Sequence, residues 1–192
     1  DAHVLGYAER NPEADVEGYD ACRKIAILTS LAVGKQVDYE DIYTEGITKI
    51  TDIDFKYAKA MHTSIKILGT SKLVDGKMYS MVAPFMINEK HPLINVNDVF
   101  NGIFVHGDML DDVMFYGKGA GKLPTASAVV SDVVDAVKHM NVSIMTLWSQ
   151  EKLELGSIKE AKHRFFVRVK DEDIDDIDVL QVKELFGNVL YV

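Results

Sequence analysis

Apolar residues recur at three- and four-residue steps in two long stretches of the chain, which is the spacing of an amphipathic α-helix. The first stretch runs from Tyr19 to about Ala32, and Gly34 follows it at a position where glycine commonly ends a helix. Its predicted apolar face consists of Ala21, Cys22, Ile25, Leu28 and Ala32. The second stretch runs from Pro124 to His139, with proline at its start and basic residues at its end. Its predicted apolar face consists of Ala126, Val129, Val130, Val133, Val134 and Val137.

Between these helices the pattern changes to the two-residue period of β-strands. A third helix is first predicted from about Ile53 to His62, because Thr51 and Asp54 form a variant of the capping box. Alternating apolar positions predict strands at residues 46–50, 65–68, 78–83, 103–106 and 113–116, with Asp75-Gly76 as a hairpin turn. We therefore predict an α/β fold of the α+β type, with helices packed on one face of a mixed, largely antiparallel sheet.

The chain changes in composition past Asn141, where Lys, Glu and Asp become frequent. The pattern predicts a strand at 164–169, an acidic link at 171–178, a helix to about 186 and a strand at 189–192. We expect a main domain over residues 1–145 and a small βαβ-like appendage over residues 160–192.

Composition limits the classes of function. A chain of 192 residues with 47% hydrophobic content can bury a sizeable core. The net charge of −9, with Lys and Arg scattered, argues against binding to nucleic acid. No apolar stretch is long enough for a membrane span, and the first residues do not form a signal peptide. A single cysteine, Cys22, fits the reducing cytoplasm, and the six separated histidines predict no metal site.

The beginning of the chain indicates a piece of a larger protein, because it lacks Met and starts in the middle of a domain pattern. No strand leading into Gly-x-Gly-x-x-Gly occurs in the first hundred residues, so a dinucleotide-binding βαβ unit is not expected.

Four charged residues flank the start of the first helix, namely Glu9, Asp15, Asp20 and Lys24. Asp20 and Lys24 are four positions apart and so share a helix face, with the acid nearer the positive end of the helix. Most pairs of this kind are solvated surface bridges. The turns at Gly6 and Gly18 favour a second hypothesis, in which three carboxylates hold a substrate ammonium while the lysine faces a carbonyl or hydroxyl oxygen.

A second candidate site is the glycine-rich segment 117–121 between a strand and the Pro124 helix. Glycine amides at a helix N-terminus attract anions, so this segment suits a phosphate group. The glycine spacing does not match the dinucleotide fingerprint, and a plain strand-to-helix connection explains the segment equally well.

Several ordered segments resemble homoserine dehydrogenase. The longest are residues 5–12, 15–24 and 116–128, and shorter ones lie between them at 45–47, 51–54, 91–93 and 97–101. The resemblance covers about residues 3 to 140. It implies an enzyme that interconverts aspartate 4-semialdehyde and homoserine with NAD or NADP, on the route to threonine, methionine and isoleucine.

The resemblance also implies roles for the charged residues. Lys24 would donate a proton to the aldehyde oxygen, and Asp20 would orient Lys24. Both would contact the substrate together with Glu9 and Asp15. The residues expected to contact the cofactor are Gly119, Gly121 and Glu9.

The resemblance further implies a homodimer, and the apolar strands at 78–82 and 103–105 are expected to face the partner subunit. The sequence departs from the family pattern at Arg10-Asn11, where an acidic pair is usual. The tail from Arg164 resembles the start of a small regulatory domain but lacks the Asp/Arg-Pro-Gly turn of such domains. Without a nucleotide-binding domain we expect no dehydrogenase activity from this chain alone. The alternative hypothesis is a non-catalytic module for amino-acid binding or oligomerisation.

Overall fold

The computed structural model describes residues 13–119, 121–142, 144 and 147–168. The helices are α1 (Glu13–Val16), α2 (Tyr19–Val33), α3 (Asp52–Ala60) and α4 (Lys122–Lys138), and two short 3₁₀ helices lie at Tyr39–Asp41 and Pro92–Asn95. The strands are β1 (Lys35–Gln36), β2 (Tyr43–Thr44), β3 (Thr63–Val74), β4 (Lys77–Asn88), β5 (Phe100–Gly107), β6 (Asp111–Lys118) and β7 (Ser149–Lys152).

These elements confirm the predicted mixed class. The described strands divide among three small sheets, with the orders β2-β4-β3, β5-β6 and β1-β7. The two long pairs, β3 with β4 and β5 with β6, are antiparallel, whereas β2 with β4 and β1 with β7 are parallel. The predicted neighbours at 103–106 and 113–116 do pair with each other.

The β3–β4 hairpin is the largest β element and is longer than predicted. Its turn is Asp75-Gly76, with φ values of 49° and 79°. A tight hairpin turn whose twist matches that of its two strands requires two consecutive residues with positive φ. The predicted turn is therefore confirmed, and the register continues from it for twelve residue pairs.

Helix α2 lies against this hairpin at Gly18, the residue just before its start. Gly18 precedes the helix with φ 80°, and a Cβ at Gly18 would lie 3.0 Å from both Ile67 and Val82. Left-handed backbone and close packing both favour glycine at this position. The core beneath the helix consists of Cys22, Ala26, Val37, Ile42 and Val82.

The buried face of α2 differs from the predicted one. The buried residues are Cys22, Ala26, Thr29 and Ser30, whereas the predicted core residue Ala32 is exposed. The hydroxyls of Thr29 and Ser30 donate hydrogen bonds to backbone carbonyls four residues earlier, at 2.7 and 2.8 Å. A satisfied hydroxyl costs little to bury, so polar residue types occupy this face.

The strand predicted at residues 46–50 is wrong. This segment forms a turn, in which the amide of Ile47 donates to the carbonyl of Val16 and the amide of Ile50 donates to the carbonyl of Ile47. These bonds direct the backbone to α1 and to itself, whereas the short strand β2 lies earlier, at Tyr43–Thr44, where it pairs with β4.

A segment that the sequence pattern left unassigned completes the core. Strand β7 pairs with β1, and the amide of Leu153 donates to the carbonyl of Gln36 at 2.8 Å. The amide of Gly156 then donates to the carbonyl of Met78, also at 2.8 Å. Because Leu153 and Leu155 pack against the buried cluster, residues 149–156 belong to the main body of the fold.

The strand predicted at 164–169 is not formed over its described part, residues 164–168. Side chains of this segment contact α3 instead. The ring of Phe166 lies 5.8 Å from that of Tyr57, and Nε of Arg168 donates to Oδ1 of Asp54 at 2.8 Å. The helix and strand predicted beyond it lie outside the described residues.

The capping box predicted at α3 is confirmed. Oδ2 of Asp54 accepts hydrogen bonds from the backbone amide of Thr51 at 2.8 Å and from its hydroxyl at 2.7 Å. Asp54 is only 5% exposed. The hydrogen bonds from Thr51, with a smaller contribution from Arg168, hold the pKa of the Asp54 carboxyl below its usual range.

Thr51→Ala should lower the free energy of unfolding by about 1 kcal/mol, because it removes a cap residue from α3. Urea unfolding followed by circular dichroism measures this change. Thr48→Ala, at an exposed turn residue, is the matched control and should leave the unfolding midpoint in place. Equal effects of the two substitutions would contradict the prediction.

Stability should depend on pH through Asp54. Its folded pKa lies below the unfolded value of about 3.9, so its contribution is complete above that pH and is lost as pH falls through the folded pKa. The difference in unfolding midpoint between the native chain and Asp54→Asn should therefore be large at neutral pH and shrink on acidification. Asp52→Asn, an exposed carboxylate in the same helical turn, is the control. A difference that does not vary with pH would count against this role of Asp54.

Candidate active site

Asp20 and Lys24 form the ion pair that the sequence predicts. Nζ of Lys24 lies 2.6 Å from Oδ2 of Asp20 near the start of α2. The side chains of Lys24 and Asp20 are 60% and 47% exposed, so water screens the pair and its contribution to stability is small. An ammonium group has three donors, and Asp20 occupies one of them in this geometry. The pair can therefore orient the amine while leaving it able to reach a ligand oxygen.

The third predicted residue, Asp15, lies on α1, just before the turn into α2. The carbonyl of Asp15 accepts a hydrogen bond from the amide of Gly18 at 3.3 Å. Its side chain is exposed and forms no ion pair with Lys24 within residues 13–119. Glu9 lies outside the described residues, so the convergence of four charged groups stays a prediction.

A small hollow of about 180 Å³ lies beside the junction of α1 and α2, and its acidic residues were missed by sequence reasoning. It is lined by Glu17, Tyr43, Thr44, Glu45, Gly46, Thr48 and Lys49. The Tyr43 hydroxyl donates to Oε2 of Glu45 at 3.0 Å. This hydrogen bond, together with burial and the charge of Glu45, raises the pKa of Tyr43. Glu45 belongs to segment 45–47, one of the segments that carry the family resemblance. That resemblance was the one signal in the sequence for this residue.

A larger hollow of about 690 Å³ contains none of the predicted site residues. It lies between the first 3₁₀ helix, β4 and residues 152–158. Lys152 borders it and pairs with Asp41 at 2.8 Å and with Asp38 at 3.6 Å. The hydrogen bond that Lys152 donates to Asp41, together with the nearby negative charges, raises the pKa of Lys152 and keeps this side chain cationic.

The predicted glycine segment connects β6 to α4. The amide of Gly119 donates to the carbonyl of Val99 at 3.2 Å, and Gly121 stands immediately before α4 with φ 119°. The N-terminus of this 17-residue helix carries a partial positive charge, which suits an anionic group. No described contact joins either glycine to Lys24.

Nothing in the described part of the chain covers the apolar face predicted for α4. The helix has no buried residue. The five valines of this face are between 45% and 60% exposed, namely Val129, Val130, Val133, Val134 and Val137. An apolar surface of this extent is typical of a contact face.

The described residues contain no group of three or more His, Cys, Asp or Glu side chains that could hold a metal ion. None of their helices combines the length and the apolar character needed to cross a membrane.

Comparisons with known proteins agree on one family. The model of the family described as homoserine dehydrogenase matches residues 1–134. The chain is 41% identical over 144 residues to a homoserine dehydrogenase of Bacillus subtilis, covering 75% of this chain and 33% of that protein. It is 40% identical over 188 residues to a homoserine dehydrogenase of Synechocystis, covering 92% of this chain and 43% of that protein.

A solved structure gives the same result. The homoserine dehydrogenase of Thiobacillus denitrificans superposes with a TM-score of 0.74 at 35% identity, covering 83% of this chain and 39% of that one. The chain thus spans between a third and about two fifths of the length of these relatives. Fold, motif order and sequence identity lead to one conclusion: this chain belongs to the homoserine dehydrogenase family.

Proposed function

We propose that this chain supplies the substrate-binding and catalytic part of an NAD- or NADP-dependent homoserine dehydrogenase. The reaction is the interconversion of L-homoserine and L-aspartate 4-semialdehyde, in the biosynthesis of threonine, methionine and isoleucine. The observation that carries the proposal is the Asp20–Lys24 pair, at 2.6 Å, on the helix that follows the family-like acidic segment. Family membership supports this function over a non-catalytic module.

Lys24 acts as the general acid in this proposal. A nicotinamide cofactor, when bound, would supply the hydride that the aldehyde carbon of the substrate receives. The Lys24 ammonium donates its proton to the oxygen that becomes the hydroxyl, while Asp20 holds the amine in position. Proton donation of this kind accelerates a reaction by about 10²- to 10⁴-fold. Asp15 and Glu9 are proposed to bind the ammonium of the amino acid.

The exposure of the pair sets a requirement for this mechanism. A half-exposed lysine is surrounded by water, which competes with the substrate oxygen for its proton. The substrate and the remaining part of the full-length enzyme must therefore cover Lys24 during the reaction. The valine face of α4, which nothing in the described part of the chain covers, is a second surface on which the rest of the enzyme is proposed to pack.

The cofactor is proposed to contact the glycine segment. Gly121 lies at the N-terminus of α4, where backbone amides and the helix dipole suit an anionic or polar group, and Gly119 lies two residues before it. Glu9 is the third proposed contact. These residues do not determine the choice between NAD and NADP, because that choice depends on groups that bind the cofactor ribose.

Two functional units are proposed along the chain. Residues 1–145 would carry catalysis and dimerisation, with residues 149–156 completing their core, and residues 160–192 would form a degenerate tail of the regulatory type. The described part of that tail contacts α3 through Phe166 and Arg168. The buried thiol of Cys22, which forms no disulfide, supports a cytoplasmic location.

We propose that the enzyme is a homodimer that uses one face of the β5–β6 hairpin. Ile103, Val105 and Phe115 share this face and are 38%, 46% and 62% exposed. A two-stranded hairpin with an uncovered apolar face gains stability by packing against a partner. The expected contribution of residues 78–82 is wrong, because Ser80, Met81 and Val82 are buried within the chain itself.

Lys24→Ala in the full-length enzyme should lower kcat by about 10²- to 10⁴-fold, because the proton donor is removed. The dissociation constant of the cofactor, measured by fluorescence titration, should change little. Lys56→Ala, at an exposed lysine of α3, is the control and should keep normal turnover. Near-normal turnover of Lys24→Ala would remove Lys24 from this role.

Val105→Lys should weaken self-association by about 100-fold or more, because each subunit then places a charge in an apolar contact. Sedimentation equilibrium of the 192-residue chain measures the change. Met109→Lys introduces the same charge at the hairpin turn, where the side chain is 95% exposed, and should leave the dimer intact. A native chain that sediments as a monomer would refute the proposed interface.

A further inference from the structure

Two side chains hold the described start of the proposed tail against α3. Nε of Arg168 donates to Oδ1 of Asp54 at 2.8 Å, and Nη2 donates to Oδ2 at 3.5 Å. The ring of Phe166 lies 5.8 Å from that of Tyr57, one helical turn further along α3. A guanidinium–carboxylate contact beside an aromatic pair fixes two points of this segment on one helix.

The two oxygens of the buried Asp54 carboxylate have different partners. Oδ2 accepts both hydrogen bonds from Thr51, whereas Oδ1 accepts only the one from Arg168 within the described part of the chain. A buried carboxylate is costly unless a cation pairs with it, and Arg168 is its one cationic partner among the described residues. The guanidinium therefore has an electrostatic reason to stay on Asp54.

A short backbone path joins the cap of α3 to the end of α1. Oδ2 of Asp54 binds the amide at the N-cap of α3, and the turn before this cap ends at Ile50. The amide of Ile50 donates to the carbonyl of Ile47 at 3.0 Å, and the amide of Ile47 donates to the carbonyl of Val16 at 2.9 Å. Val16 directly follows Asp15, so the path ends beside a proposed substrate contact.

The turn at residues 46–50 also packs tightly against α1. A Cβ added to Gly46 would clash with the carbonyl oxygen of Val16 and would lie 2.6 Å from Cα of Glu17. Both of these are backbone atoms, which cannot swing aside as the end of a side chain can. A displacement of the turn must therefore be transmitted to α1.

From this geometry we propose that Arg168 is a positioning residue for Asp15, on the substrate side of the candidate site. The inference rests on the proposed function, which assigns the substrate ammonium to Asp15. Arg168 neutralises Asp54, Asp54 holds the first turn of α3, and the turn before α3 holds the backbone next to Asp15. Loss of the guanidinium loosens the turn at 46–50 and lets the end of α1 move.

The structural step can be tested in the 192-residue chain without substrate. Arg168→Met should speed hydrogen exchange at the Ile47 amide by about 10-fold, because the turn loses the charge-assisted hydrogen bond that holds its neighbouring cap. The Gly34 amide, which donates to Ser30 at the other end of α2, should keep its native rate. Arg164→Met is the matched control, because Arg164 is an exposed arginine of the same segment. An unchanged rate at Ile47, or an equal increase at Gly34, would overturn the proposal.

The functional step is tested in the full-length enzyme. Arg168→Met should raise the KM for homoserine by about 10-fold with a smaller change in kcat, because Asp15 is proposed to bind the substrate away from the reacting oxygen. The KM for the cofactor should stay at its native value, and Arg164→Met should change neither constant. A native KM for homoserine in Arg168→Met would overturn the proposal. Absence of homoserine-dependent cofactor reduction in the native enzyme would instead refute the proposed function, and the exchange rates would still decide whether Arg168 holds the turn.

Discussion

The contact between the start of α2 and the β3–β4 hairpin is the constraint on which the candidate site depends. Gly18 allows the backbone to turn into the helix while it lies against Ile67 and Val82. Any larger residue would move the first helical turn away from the sheet, and that turn carries Asp20. Lys24 lies one turn later. The position of the ion pair therefore depends on the close packing of the buried Gly18 against the fully buried Val82.

Much of the fold could be predicted where local pattern determines it. The helix at 19–32, the Asp75-Gly76 turn and the capping box of Thr51 and Asp54 depend on neighbouring residues, and all three are present. The segments at 46–50 and 149–156 were not predicted correctly because their backbone hydrogen bonds go to distant partners. Thr29 and Ser30 were missed for another reason. Their hydroxyls donate hydrogen bonds to backbone carbonyls of the same helix, and a hydropathy pattern does not show such bonds.

The site was predictable only in part. The four-residue spacing of Asp20 and Lys24 on one helix is sufficient to predict their pairing. The position of Asp15 depends on the turn between α1 and α2, and that of Glu45 on a parallel bridge between β2 and β4, so neither follows from spacing alone.

The attachment of residues 149–156 bears on where this protein can be divided. Composition places a boundary near residue 145, but Leu153 and Leu155 pack against the cluster that includes Cys22 and Val82. A polypeptide ended at that boundary would uncover the apolar centre of the molecule and leave β1 without its neighbour. A folded unit built on this core must therefore extend beyond Gly156, and recombinant designs that swap or remove the tail should join the chains downstream of that glycine.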